Sequence, residues 1–315
     1  MHALTATVLP DAASMASLAV YLVLIAAAAF AGGTSIAFLS LGHRRMQVLL
    51  SLTAGVMLGV GLLHLLPHAC LELDGRIETT MAWVLAGFFL MFLLERAFHG
   101  HAHHTADGSH AGHGCEHDHE RAAQSSHERA AQSSDERAAQ WSWCGAFAGL
   151  ALHSLADGAA LAASVDADGD HGAGLLAGFA TFLAVVLHKP FDSGIIATLM
   201  INAGASARSR TVVNALYAMV VPLGAVAFLA SLRLFGGNQS AVLGIAMAMA
   251  AGAFLCIAAA DLLPEVEFHS HDRLLLTASL AIGLTIAWGI TVMERSSHAH
   301  EAHAHRTHGA HGQSR

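Results

Sequence analysis

A single lysine, Lys189, stands in 315 residues, and charged side chains of every kind make up only 12 % of the chain. Soluble domains carry roughly 25 % charged residues. This shortage, with hydrophobic residues at 55 %, excludes an ordinary water-soluble domain and predicts an integral membrane protein. The remaining basic residues are arginines, too few and too scattered to bind nucleic acid. The formal charge of −8 says little, because most acids fall in loops and in one low-complexity insert. Cysteine is scarce as well. Cys70, Cys115, Cys144 and Cys256 show no CxxC spacing and fall in or near different segments, so no disulfide framework is expected.

Histidine is what the chain has in excess, with 24 residues. Nine lie between His99 and His127 and six between His298 and His311. Neither cluster is a homopolymer and one is internal, which argues against a purification tag. Such tracts bind metal weakly through neutral imidazole.

Apolar runs long enough to cross a bilayer lie near 16–41, 46–67, 80–98, 141–165, 172–202, 211–233, 240–264 and 273–293. The expected fold is therefore all-α, with eight transmembrane helices. The first run lacks a basic start and a cleavage site, so it reads as a helix rather than a signal peptide. Residues 1–98 hold spans 1–3, 99–140 a disordered His-rich cytoplasmic loop, 141–293 spans 4–8, and 294–315 a His-rich tail. The loop carries near-copies of an eight-residue unit starting at Glu120, Glu128 and Glu136, without the large apolar residues a core needs. Arg44 and Arg45 after span 1, Arg208 and Arg210 after span 5, and four arginines in the loop after span 3 mark the cytoplasmic side. Both termini then lie outside, periplasmic if the membrane is a bacterial inner membrane.

Two stretches resemble each other. Gly55 to His68 reads GVMLGVGLLHLLPH, and Gly252 to Glu265 reads GAFLCIAAADLLPE. The helix after each ends in Glu-Arg followed by two histidines, Glu95-Arg96 with His99 and His101, and Glu294-Arg295 with His298 and His300. Spans 2 and 7 run in opposite directions, so spans 1–3 and 6–8 form an inverted repeat. Transporters recurrently use this architecture, with the site near the midplane at the repeat interface.

Spans 4 and 5 carry the chemistry. His153 and Asp157 lie four residues apart on one, His188 and Asp192 on the other, so each pair shares a helix face. Ionisable groups at membrane depth are costly and mark functional sites. Two imidazoles and two carboxylates facing each other make a four-ligand site suited to Zn2+. Lys189 lies beside His188, mid-helix rather than near an end, where its ammonium can hold Asp157 or Asp192 when metal is absent. Pro190 removes a backbone donor and kinks the helix at the site. Gly158 and Gly194 permit close helix approach.

These motifs, in this order, resemble those of the ZIP (Zrt/Irt-like) family of divalent-metal transporters. HSLADG at 153–158 and HKPFDS at 188–193 are similar to the family's helix-4 and helix-5 motifs, and AGVMLGVGLLHLLPHA at 54–69 and AADLLPEVE at 259–267 to its second and seventh helices. The His-rich loop after helix 3 is also typical of the family, and the resemblance covers all eight helices. It implies entry of metal from outside near His64 and His68, with Met57 deeper as a soft ligand, and exit near Asp261, Glu265, His269 and His271. Binuclear members carry a ligand where this chain has Lys189, an asparagine at Ser154 and a glutamate at Val221. The departures imply a single-metal site with Lys189 replacing the second cation, as in the lysine-containing branch. The implied cargo is Zn2+, while the N2O2 set also admits Cd2+, Fe2+, Mn2+ and Co2+. The expected partners are the metal ion, the lipid bilayer and, if the chain self-associates, a second copy in a homodimer.

Two other readings compete. Cation-diffusion-facilitator exporters also pair His and Asp at four-residue spacing, but on spans 2 and 5 of six and with a folded cytoplasmic domain. An intramembrane zinc hydrolase using His153, His188, the aspartates and Ser154 would need an open metal position for water, which two full His/Asp pairs close. The chain is therefore expected not to be an enzyme.

Overall fold

The computed structural model describes residues 12–35, 43–99, 121–170, 176–234, 238–262 and 273–311. Among these residues there is no strand, and eight helices are long and apolar enough to cross a membrane: α1 Ala12–Ser35, α2 Arg44–Glu72, α3 Ile77–Arg96, α4 Trp143–Gly169, α5 Phe179–Asn202, α6 Ala207–Leu234, α7 Gln239–Ala260 and α8 Arg273–Met293. The shortest has 20 residues, about 30 Å at 1.5 Å per residue, enough for the hydrocarbon thickness.

The helical backbone of α4 starts early, at Arg121, so the later octads continue it. Their Ala, Glu, Gln and Arg have high helix propensity even without an apolar stripe. The helix of α8 likewise runs on to His311. By contrast α5 starts later than its apolar run suggests. Gly178, at φ +71°, is left-handed and turns the chain into the helix at Phe179, a conformation that favours glycine.

The helices pack in four extensive pairs: α2 with α8, α3 with α7, α1 with α5, and α4 with α6. Exchanging α1 with α6, α2 with α7, α3 with α8 and α4 with α5 maps the first pair onto the second and the third onto the fourth. This is the packing an inverted repeat requires. Close approach is made by glycines at matching places. A Cβ on Gly55 would collide with the Leu280 carbonyl of α8, and one on its repeat counterpart Gly252 with the Val84 carbonyl of α3. The symmetry extends to a defect. A π-helical turn occupies Gly61–Leu65 in α2 and Ala258–Leu262 at the end of α7, each leading into Leu-Leu-Pro. Such turns within α-helices often mark functional positions.

Proline breaks α6 in two. Its halves are Ala207–Ala218 and Val220–Leu234, because Pro222 has no N–H for the Ala218 carbonyl. Pro190 lies inside α5 without ending it. Lipid-facing leucines and phenylalanines cover α3, where only 17 % of the apolar stretch is buried. The core lies instead along α2, α4, α5 and α7, and α2, α4 and α5 carry the polar clusters.

Candidate metal site

The α4–α5 interface brings His153, Asp157, His188 and Asp192 together, with one ligand atom from each lying within 4.8 Å of the others. His153 and Asp157 project from one face of α4, one turn apart. His188 and Asp192 do the same on α5, and both histidines and Asp157 are buried. The separations have a recognisable metric. A tetrahedral ion with bonds of about 2.0–2.1 Å holds its ligand atoms roughly 3.3 Å apart. His153 Nε2 lies 3.4 Å from His188 Nε2 and 3.2 Å from Asp157 Oδ2, while His188 Nε2 lies 3.3 Å from the same oxygen. Asp192 Oδ2 stands farther out, 3.9 Å from each imidazole nitrogen.

The rings are aimed. His188 Nδ1 lies 2.8 Å from the Ala184 carbonyl. A carbonyl only accepts, so Nδ1 carries the hydrogen and Nε2 keeps its lone pair turned toward the cluster. Such backbone anchoring fixes the tautomer of metal-binding histidines. The Phe254 ring of α7 meets His188 edge-on at 6.2 Å between centroids. No hydrogen-bond partner meets the buried Nδ1 of His153 among the described residues. This ring borders an apolar crevice of about 380 Å³ between α3, α4 and α7.

Lys189 is fully buried and does not reach away from the cluster. Its Nζ lies 2.5 Å from Asp157 Oδ2 and 2.8 Å from Asp192 Oδ2 and donates to Ser154 Oγ at 3.0 Å. The ammonium thus holds the two oxygens that face the imidazoles. Ser154 donates to the Tyr217 hydroxyl at 2.8 Å, and that hydroxyl donates to Asp192 Oδ2 at 3.2 Å. Tyr217, fully buried at the break in α6, was not among the residues the sequence singled out. It is one of only two tyrosines in the chain and stands in an apolar span, which was the available signal. Val221, one turn further along α6, is buried, and its carbonyl abuts Gly158.

The residues assigned to an entry path lie elsewhere. The α2 histidines His64 and His68 meet Asp168 of α4 in a second group of potential ligands, again within 4.8 Å of one another. Asp168 was also missed, hidden among the acids of Asp166–Asp170. Its signal is its spacing. It lies eleven residues after Asp157, three helical turns along the same face. Met57 is fully buried in the central apolar core beside Val56 and Val60. Asp261 belongs to the π-helical turn of α7, and Glu265, His269 and His271 lie outside the described residues. Cys70, Cys144 and Cys256 form no disulfide among the described residues, and Cys115 lies outside them.

A family model of the ZIP zinc transporters matches residues 14–294, which covers all eight helices. The chain belongs to the ZIP zinc transporter family. Comparison with curated proteins gives no match. As a ZIP family member with eight apolar spans, the chain is an integral membrane protein, and its substrate is a divalent metal ion. The family is one of transporters rather than enzymes, so hydrolase chemistry has no support from it.

Proposed function

We propose that this ZIP transporter carries Zn2+ into the cytoplasm through a single-metal site made by His153, Asp157, His188 and Asp192. The observation that carries the reading is the geometry of the cluster. Three of its ligand-to-ligand distances fall at 3.2–3.4 Å, close to the edge of a zinc tetrahedron. Asp192 has about half an ångström to close, to His188 on its own helix as much as to His153 of α4, so binding needs a shift of its side chain rather than of α5. An N2O2 set suits Zn2+ and tolerates Cd2+, Co2+, Fe2+ and Mn2+.

Lys189 makes the site mononuclear. Its ammonium bonds both carboxylates, and a second divalent ion at that position would meet a fixed positive charge. The same lysine supplies the counter-charge for buried Asp157 and partly buried Asp192 when the carrier returns without cargo, a state that would otherwise be costly. Incoming metal displaces the ammonium from the shared oxygens, and the ammonium keeps Ser154 as a partner. Arginine-rich loops after α1, α3 and α5 support a cytoplasmic location for those ends and an outside location for both termini.

Uptake by proteoliposomes containing the purified full chain tests this reading, with a panel of divalent ions and with inward and outward orientations assayed separately. His188→Ala and Asp192→Ala should each reduce Zn2+ uptake to background while the protein still inserts and elutes as a monodisperse species. Near-normal uptake by either variant would remove the cluster from the path, and net efflux under the same gradient would reverse the direction.

A further inference from the structure

We infer that His64, His68 and Asp168 form a second divalent-cation site, a loading station from which metal passes to the cluster on α4 and α5. The case starts from distances that direct pairing does not explain. His64 Nε2 lies 3.7 Å from Asp168 Oδ2, and His68 Nδ1 lies 3.6 Å from Asp168 Oδ1. Both are too long for hydrogen bonds, yet both are within the separation of two ligands on one ion. Asp168 is tethered with one oxygen accepting from the Gly178 amide at 2.7 Å, so the carboxylate is fixed in orientation with Oδ1 toward His68. His64 Nε2 lies 2.9 Å from Ser164 Oγ, a hydrogen bond that orients the ring and that a bound ion would replace. The π-helical turn Gly61–Leu65 contains His64, which it carries into the protein to 1 % exposure.

Charge gives a second reason. Asp168 is as buried as Asp157, but no lysine or arginine pairs with it among the described residues. A buried carboxylate needs a compensating cation. At the inner cluster Lys189 fills that need, and here the two imidazoles frame a place for a metal ion. Two nitrogens and one oxygen leave a further coordination position open for water. The His68 side chain, 19 % exposed against 2 % for His64, forms the side from which an ion arrives.

The two clusters are separate stations. Asp157 and Asp168 are eleven residues apart on α4, about 16 Å along the helix. Between them Ser164 accepts a hydrogen bond from Thr181 of α5 at 3.0 Å, while Leu161 and Val185 are fully buried and apolar. Only the order of loading rests on the import reading above. The cluster itself does not.

Anomalous diffraction from crystals of the full chain grown with Cd2+ tests the site directly. One peak is expected among His64, His68 and Asp168, and it should persist in His188→Ala/Asp192→Ala, where the inner peak is lost. His68→Ala should abolish the outer peak and spare the inner one. Losing a ligand should cost at least what losing a ligand's support costs, roughly tenfold in affinity. His68→Ala should therefore raise the KM for Zn2+ uptake about tenfold with kcat within about twofold, and His68→Asp, which restores a ligand, should recover most of the loss. Absence of an outer peak beside an occupied inner site, or an unchanged KM in a correctly inserted His68→Ala, overturns the inference. Uptake surviving in the inner-site double variant would instead sink the function proposed above while leaving the outer peak to be judged on its own.

Discussion

Lys189 shows how one residue sets the chemistry of the whole site. An ammonium with no exposure, bonded to buried Asp157, partly buried Asp192 and a serine hydroxyl, is strongly constrained, because removing one partner of a buried pair leaves uncompensated charge and costs about 3–5 kcal/mol. Lys189→Ala should accordingly destabilise the chain by about that much in chelator. A saturating divalent ion should restore most of the loss, since a ligand bound only by the folded state stabilises it by mass action. Thermal unfolding in detergent with EDTA and then with Zn2+ checks this. Equal destabilisation under both conditions would show that the lysine is not a stand-in for metal charge. Tyr217 belongs to the same scale. Its hydroxyl bridges Ser154 and Asp192, so α6 holds the outlying ligand of the cluster even though it contributes none itself.

The helices that carry ligands are positioned by glycine contacts. Gly158 of α4 lies against the Val221 carbonyl, and Gly224 of α6 against the Leu155 backbone. Both flank the face that presents Asp157 and Ser154. A side chain there must push the helices apart, because the obstructing atoms are backbone and cannot rotate away. Gly224→Val should cost about 1–3 kcal/mol or more through overpacking. It should also weaken Zn2+ uptake by moving Tyr217 from Asp192. Unfolding and uptake measured on the same preparation check both effects. The repeat-related glycines Gly55 and Gly252 seat α2 on α8 and α7 on α3, away from the ligands. Substitution there should lower stability without first changing metal affinity.

At the scale of the molecule, two polar clusters stand in an apolar bundle, His64, His68 and Asp168 in one and His153, Asp157, His188 and Asp192 in the other, and the His-rich segments lie outside the spans. The segment 102–138 is expected to concentrate metal near the exit without taking part in translocation. Deleting it should leave kcat within about twofold, because a His-rich tract outside the spans adds local metal concentration rather than lowering the barrier. Uptake under saturating Zn2+ measures this. Complete loss of transport by a correctly inserted deletion would give the segment an obligatory part.

Much of this was written along the chain. Local apolar composition determined the eight spans, since a membrane helix must be apolar over about twenty residues whatever its neighbours. The i,i+4 spacing determined that His153 shares a face with Asp157 and His188 with Asp192, because that periodicity belongs to the helix itself. The inverted repeat was legible in Leu-Leu-Pro and the glycines before it. The tertiary structure decided what depends on contacts between helices. It decided that Lys189 holds both aspartates at once, that Tyr217 reaches Asp192 from a helix broken by Pro222, and that Asp168 faces His68 across a gap of 100 residues in sequence. Spacing along a chain specifies which residues share a face. Which faces meet is specified by packing, and here by glycines that let backbones touch.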